Sequence, residues 1–395
     1  MKKLIKVKNK NTKNHDLESN IAETIRNAVL VGVLTTPKGK GKHPLPIGKD
    51  SMIKREMINA ANEKGIFMYF FYPLGIDLGR QTVIGHTYLD NNKQSGLWVK
   101  GVFPLPDIVY NRISYRKIEA EEKVKELLAR IESNPDIYLF NSRFLDKWEV
   151  HNILSQNMNT RDLVPEARLF NRENLITMLH KYEEIFIKPI NNSVGKGIIK
   201  VKQKAPNKPI YYKIAASDGG WIQCNSNNRL YTRLKAAVTH DRYMIQKGIE
   251  LATTNNRVFD LRTEVQKNDQ GQWVFTGVGV RIAAPGKFVT HVPNGGSRAN
   301  FDKVIKKVFG SSRSMKEYLE QQLAYISSVV PCVLERNLGI NLGILSIDIG
   351  VNKSGLMQVI EVNSKPSSFD ENDIRRQHLE NLNKYFLYLS SLKIY

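Results

Sequence analysis

Leu345-Ser346-Ile347-Asp348-Ile349-Gly350, followed after a short loop by Val359-Ile360-Glu361-Val362-Asn363-Ser364-Lys365-Pro366, is the stretch that decides how this sequence is read. Both runs alternate apolar and polar residues with a period of two, and Asn352-Lys353-Ser354-Gly355 between them is turn chemistry. The pair is therefore expected to form two antiparallel strands. Glu361 and Asn363 are two residues apart and share one face, while Ile360 and Val362 take the other. Asp348 can join the polar face from the neighbouring strand. Two carboxylates and an amide oxygen make a hard ligand set suited to Mg²⁺ or Mn²⁺. The competing reading is a solvated polar face. The apolar flanks argue instead for burial, and a buried face carrying two carboxylates needs a counter-charge.

Working outward, 395 residues are too many for one small core and imply two or three subdomains. An apolar share of 41% and a charged share of 25% are ordinary for a globular protein. No apolar run has the length of a membrane span, and the lysine-rich start lacks the apolar core of a signal peptide. Two cysteines, Cys224 and Cys332, are too few for a disulfide framework, so a reducing cytoplasm is expected. The formal net charge of +21 favours anionic partners. The lysines are spread along the chain without a nucleic-acid-binding motif, so nucleic acid is the weaker reading.

At the N-terminus, residues 1–20 carry six lysines before the first acid, Asp16. They are expected to be a basic arm or a short edge strand. Residues 28–35 form a nearly continuous apolar run, 51–63 a helix, and 66–72 an aromatic strand stopped by Pro73 and Gly75. Strand, helix, strand is a βαβ unit of an open α/β domain. A further strand around Ile108–Tyr110 precedes a charged helix from about 115 to 132. Asp107, Asn111 and Arg112 lie at the expected strand end, where such sheets place ligands; a helix cap with a surface ion pair explains them equally well.

The strongest local signal in the middle of the chain is Glu184-Ile-Phe-Ile-Lys188-Pro189 with Asn191-Asn-Ser193-Val194-Gly195-Lys196-Gly197. Gly195 and Gly197 let the backbone approach an anion closely, and no Walker A pattern is present. Beyond it come Tyr243-Met-Ile-Gln246-Lys247-Gly248-Ile249, then Phe259-Asp260-Leu261-Arg262, Val278-Gly-Val-Arg281, and His291-Val-Pro-Asn294-Gly295-Gly296. Two arginines on neighbouring strands beside an acidic face are hard to explain as solvated charge, although Arg262 could pair with Asp260 or Glu264. Residues 315–337 are expected to form a helix weakened by Pro331, and 371–391 an amphipathic C-terminal helix.

The Asp348…Glu361-x-Asn363 set, the Lys188-Pro189 strand with its glycine loop, and the segments after it resemble the ATP-grasp ligases, in family order from about 145 to 370. The runs Pro106-Asp-Ile-Val-Tyr-Asn111-Arg112 and Asn141-x-x-Phe-Leu-Asp-Lys147-Trp look most like the YheC/YheD group, described as endospore coat-associated in spore-forming bacilli. That resemblance implies an ATP-grasp domain over 141–395 with a lid at about 183–248. An open α/β pre-ATP-grasp domain would precede it over 21–140, giving an α/β protein with α+β lobes. It further implies that Lys147, Lys188, Ser193, Val194, Gly195 and Gly197 serve the ATP phosphates, and that Gln246, Lys247 and Ile249 serve the adenine and ribose. Asp348, Glu361 and Asn363 would hold the metals. Arg262, Arg281 and Asn294 would act at the transferring phosphoryl group, with Asn111, Arg112, Gly295 and Gly296 near the substrate. The implied activity is an ATP- and Mg²⁺-dependent carboxylate–amine ligase that forms an amide through an acyl phosphate. Its substrate would be an amino acid, peptide or acidic polymer in a spore-forming cell. The alternative is a nucleotide-binding structural or regulatory protein of the spore coat.

Overall fold

The computed structural model describes residues 5–8, 14–36, 51–89, 96–191, 197–205, 208–215, 220–238 and 242–392. These form three sheets. The first is built from β1 (Ile5–Lys8), β2 (Val29–Leu34), β3 (Ile66–Asp77), β4 (Thr82–Leu89), β5 (Leu97–Pro104), β6 (Ile108–Asn111) and β7 (Tyr138–Phe140), in the order β1-β5-β4-β3-β2-β6-β7. Helix α1 (Asn14–Arg26) precedes β2, and α2 (Ser51–Asn62) makes the crossover from β2 to the parallel β3. The expected βαβ unit is present. Strand β2 is apolar along its length because both its faces are covered, the state that continuous apolar strands encode. The chain reverses direction across the sheet between β2 and β6, which pair in parallel.

Several local expectations need correction. The aromatic strand is not stopped by Pro73 and Gly75; it runs to Asp77, with the pairing register shifted between Phe71 and Ile76. Proline is tolerated there because no ladder hydrogen bond is required of it at a bulge. The charged helix is two helices, α3 (Arg116–Glu119) and α4 (Glu122–Glu132), separated where Glu121 takes an extended conformation. At the N-terminus the edge-strand reading holds, Ile5–Lys8 pairing with β5, whereas the arm's expected end at residue 20 falls inside α1.

After α5 (Lys147–Gln156), the second sheet is antiparallel. It comprises β8 (Ala167–Leu169), β9 (Glu184–Pro189), β10 (Ile199–Gln203), β11 (Ile210–Ile214), β12 (Ile222–Cys224) and β13 (Tyr243–Lys247), ordered β12-β11-β10-β9-β13-β8. Helices α6 (Arg172–Lys181) and α7 (Asn227–Ala237) cover one face through Leu175, Leu179, Leu230 and Leu234. Asn171 and Ser226 cap their N-termini, which fixes where each begins. The other face of this sheet is left to the cleft.

The third sheet comprises β14 (Thr253–Thr254), β15 (Arg257–Lys267), β16 (Trp273–Ile282), β17 (Ser297–Ala299), β18 (Ile344–Val351) and β19 (Met357–Asn363), ordered β17-β16-β15-β18-β19 with β14 on β15. Helices α8 (Phe301–Phe309) and α9 (Arg313–Leu338) belong to its core. Helix α9 passes Pro331 without ending and is closed by Gly339 in the left-handed conformation, φ 61°. The C-terminal helix α10 (Asn372–Ser391) inserts Leu382, Tyr385, Phe386 and Leu389 into the core of the first sheet, tying the chain's two ends together.

Candidate functional site

A cleft with about 1500 Å³ of free space, its open mouth included, lies between the bare face of the second sheet and one face of the third. On the third sheet, pairing brings three charged residues into one row: Arg262 lies opposite Asp348, and Asp348 opposite Glu361. The hairpin reading holds, and the two carboxylates do share a face. Arg262 Nη1 stands 3.5 Å from Asp348 Oδ1, and its Nη2 donates to Ser346 Oγ at 3.2 Å. Lys147, the first residue of α5, is 3.3 Å from Glu361 Oε1. Asp146 fixes that helix start by accepting from the backbone of Trp148 and Glu149. The acidic pair thus has its counter-charges. Arg262 pairs with Asp348 and with neither of the nearby acids on its own strand.

Burial raises the Asp348 carboxyl above its usual range; Arg262 opposes this and the Glu361 charge adds to it. Asp260, one step along β15, is pushed up to about 7 by burial first and by Asp348 next, while its hydrogen bond from Thr290 Oγ1 works the other way. A site that holds carboxylates against desolvation and mutual repulsion is suited to a divalent cation. Asp348, Glu361 and Asn363 all line the cleft and offer hard side-chain oxygens, the type such an ion takes. Among the described residues no three His, Cys, Asp or Glu form a metal-binding group.

One detail of the hairpin departs from strict alternation. The register slips between Asp348 and Ile349, so Val359 faces Ile349, Glu361 faces Asp348, and Ile360 is the extra residue. Ile360 therefore lines the cleft beside Glu361 instead of taking the opposite face, whereas Val362 is in the core. Gly350 makes room for this: a Cβ there would come within 2.8 Å of Ile249 and 3.2 Å of Ile360. Ile249, Leu251 and Ile360 thus form one apolar wall, faced across the cleft by Phe186 and Ile198 of the second sheet.

From the second sheet, Lys188 Nζ donates to Gln246 Oε1 at 2.5 Å, an adjacency set by the pairing of β9 with β13. Burial, only partly offset by Glu361, lowers the Lys188 ammonium to about 8. Lys247 lines the same end and lies over the Tyr182 ring. Gly197 has φ 77°, a conformation that favours glycine, and begins the described part of the return into β10. Ser193, Val194 and Gly195 lie outside the described residues.

Other expected site residues are placed elsewhere. Arg281, opposite Asp260, turns its guanidinium to Glu371, with Nη1–Oε1 at 2.6 Å and Nη2–Oε2 at 3.3 Å. Gly279 permits that bidentate pair, because a Cβ there would lie 2.5 Å from Nη1 and 2.6 Å from Oε1. Asn294 and Gly295 are exposed, and neither they nor Gly296 line the cleft. Asn111 is fully buried: its Nδ2 donates to Glu119 and to the Ser142 carbonyl, and its Oδ1 accepts from the Ile113 amide. Arg112 lies over Tyr110 and makes a long contact, 3.5 Å, to the Pro366 carbonyl. The cleft-lining residues from this region are Ser114 and Arg116, a few positions further on, together with Lys365 and Ser367 beyond β19. Their only sequence signal was proximity to the two motifs.

The fold is that of the ATP-grasp proteins, a class whose members generally bind ATP and Mg²⁺. D-alanyl-alanine synthetase A from Vibrio cholerae O1 biovar eltor str. N16961 matches with a TM-score of 0.51 at 12% identity, covering 92% of this chain and 98% of that one. The sequence profile described as YheC/D like ATP-grasp matches residues 136–389, and the chain belongs to that family. Endospore coat-associated protein YheD of Bacillus subtilis (strain 168) is 24% identical over 355 residues, 88% of this chain and 76% of that protein. Endospore coat-associated protein YheC of the same organism is 24% identical over 312 residues, 79% of this chain and 84% of that protein. No helix among the described residues is long and apolar enough to cross a membrane.

Proposed function

We propose that this protein is an ATP-dependent carboxylate–amine ligase. The observation that carries the reading is the Asp348–Glu361 pair, half-buried on paired strands and each held by a cation, with Lys188 presented from the facing sheet. The nucleotide would lie with its base between the Ile249–Leu251–Ile360 wall and Phe186, its polar edge at Gln246 and Lys247. The second sheet would act as the lid. Lys188 would meet the phosphates, whose negative charge would offset the burial that lowers its ammonium to about 8. Asp348, Glu361 and Asn363 would hold a divalent cation, Mg²⁺ or Mn²⁺, which when bound supplies positive charge against the phosphate oxygens.

In the reaction, a substrate carboxylate oxygen attacks the γ-phosphorus and ADP leaves, giving an acyl phosphate. The amine nitrogen of a second substrate then attacks the acyl carbon. The carbon–oxygen bond to phosphate breaks, inorganic phosphate departs, and the amine proton passes to solvent. Arg262 sits beside the transferring group and would bear on its developing negative charge. Arg281, tied to Glu371, would act at one remove by fixing the sheet against which Asp260 and Arg262 stand. The family names support a setting in sporulation, with synthesis in the cytoplasm and association with the coat.

The test is a screen for ADP release over amino acids and peptides with Mg²⁺-ATP, coupled to mass spectrometry for new amides. Release that requires both a carboxylate and an amine, and that vanishes in Glu361→Ala, is expected. Equal turnover by that variant would remove the site assignment.

A further inference from the structure

The cations around the cleft fall into two groups. Lys147, Arg262 and Lys365 each stand against a carboxylate: Glu361, Asp348 and Glu119. Lys188 and Lys247, at the proposed nucleotide end, have no such carboxylate among the described residues, and a triphosphate would account for them. That leaves Arg116. It lines the cleft, stacks on the Phe144 ring at 4.7 Å, and donates through Nη2 to the Leu145 carbonyl at 2.7 Å. Among the described residues it has no carboxylate within ion-pair distance. A guanidinium has five N–H donors, so most of this fork is uncommitted. Partial burial of such a group is unfavourable, and Glu361 and Asp146 offset it only from beyond ion-pair distance.

Its position in the first sheet is equally informative. Arg116 and Ser114 follow the C-terminal end of β6, next to the end of β2, where the chain reverses across the sheet. Open α/β sheets bind ligands in that crevice. Ser114 and Arg116, beside that crevice, line the cleft. His291, which also lines the cleft, has a buried Nδ1 with no hydrogen-bond partner among the described residues, and both His291 and Arg116 feel the Glu361 charge. An anion placed there would be met by the Arg116 fork and have Ser114, Ser367 and His291 in the surrounding wall.

We infer that Arg116 anchors a carboxylate of the substrate other than the one that is phosphorylated, so that the carboxyl donor is at least a dicarboxylate, such as an acidic amino acid or a glutamyl peptide. This rests on the ligase reading for its chemistry but is separable from it by binding. Arg262 already stands at the reacting centre; Arg116 supplies a second, separate fork on the first-sheet wall. A planar bidentate donor suits a carboxylate better than a lysine would.

The experiment has two arms on the full chain. In the first, L-glutamate and tetraglutamate are titrated into the protein saturated with Mg²⁺ and a non-hydrolysable ATP analogue, with glutamine and the α-amide of glutamate as monocarboxylate controls. Dicarboxylates are expected to bind at least tenfold more tightly than the controls. Arg116→Gln should remove that preference while changing the affinity for the nucleotide analogue less than twofold, and Arg116→Lys should restore part of it. In the second arm, ADP release is followed with the same compounds. A higher half-saturating concentration for dicarboxylates alone in Arg116→Gln supports the inference. An equal loss for mono- and dicarboxylates would overturn it by placing Arg116 at the reacting carboxyl. A loss of nucleotide affinity would overturn it by making Arg116 a phosphate ligand, and so would failure of the wild type to bind either dicarboxylate. Binding with the expected preference but no ADP release would uphold the anion site while sinking the ligase reading.

Discussion

The two walls of the cleft handle charge in opposite ways. On the third sheet the acids come with their counter-ions: Asp348 with Arg262, Glu361 with Lys147, all within a row set by strand pairing. On the second sheet Lys188 donates to the neutral oxygen of Gln246, lies over the Phe186 ring and has no ion pair among the described residues; burial, only partly offset by Glu361, pulls its ammonium down to about 8. The first wall carries its own compensation. The second leaves its lysine charge less fully compensated, which under the proposed function an anion would complete. A nucleotide that carries both an anion and a cation would suit this pair of surfaces, displacing existing pairs on one side and filling a deficit on the other.

The largest expected effect comes from unbalancing the compensated wall. Glu361→Gln keeps the shape but removes one of two carboxylates and leaves Lys147 without its charged partner; ADP release should fall by roughly 10²–10³-fold. Nearly unchanged turnover would mean that the acidic row is architecture only. Next in size is the clamp at the base of the hairpin. Asn141 is fully buried in the left-handed conformation, φ 52°, donates to the Ile344 and Ser364 carbonyls and accepts from the Gly343 amide. Asn141→Ala should cost about 3 kcal/mol in urea unfolding, since it orphans several buried backbone groups. A loss below about 1 kcal/mol would show that the acidic wall is not held rigidly from its base.

The cationic wall should behave in the reverse sense. Lys188→Met is expected to weaken nucleotide binding by roughly 10–100-fold, the range for charge-assisted hydrogen bonds. It should nevertheless leave stability at pH 7 unchanged or raised. The sign follows from the folded pKa of about 8 lying below the unfolded value: between the two the unfolded chain binds more protons, so below pH 8 the charged lysine is carried at a cost. A destabilised Lys188→Met would erase the contrast between the walls. The smallest effect is a control remote from the cleft. Burial, then Lys100 and Lys54, lowers His86 to about 4, so stability should fall as pH drops from about 6.5 towards 4. Melting curves at pH 7.5 and 5 should show a smaller drop in His86→Gln, with no change in nucleotide affinity.

How much of this could be read from the chain depends on the range of each interaction. The period-two alternation around Asp348 and Glu361, the apolar β2 and the Lys188-Pro189 strand are local patterns, and they led to the right elements. The bulge at Ile360 is not local: it exists because β19 must match β18, and alternation alone put that side chain on the wrong face. The same holds for Arg281, whose carboxylate partner Glu371 lies 90 residues on, and for Asn111, satisfied by Glu119 and the Ser142 carbonyl. Pro73 was read as a stop because a proline's effect depends on whether its position needs a ladder hydrogen bond. Arg116 looked like one charge in a charged helix, and only the position of the β2–β6 reversal gives it a place in the cleft.

The most direct measurement is a crystal structure with a non-hydrolysable ATP analogue and Mg²⁺. The account predicts the triphosphate between Lys188 and the Asp348–Glu361 pair, with the metal on those carboxylates and the base against Ile249 and Ile360. A nucleotide bound outside the cleft, or one inside it with Asp348 and Glu361 still engaged only by Arg262 and Lys147, would contradict it.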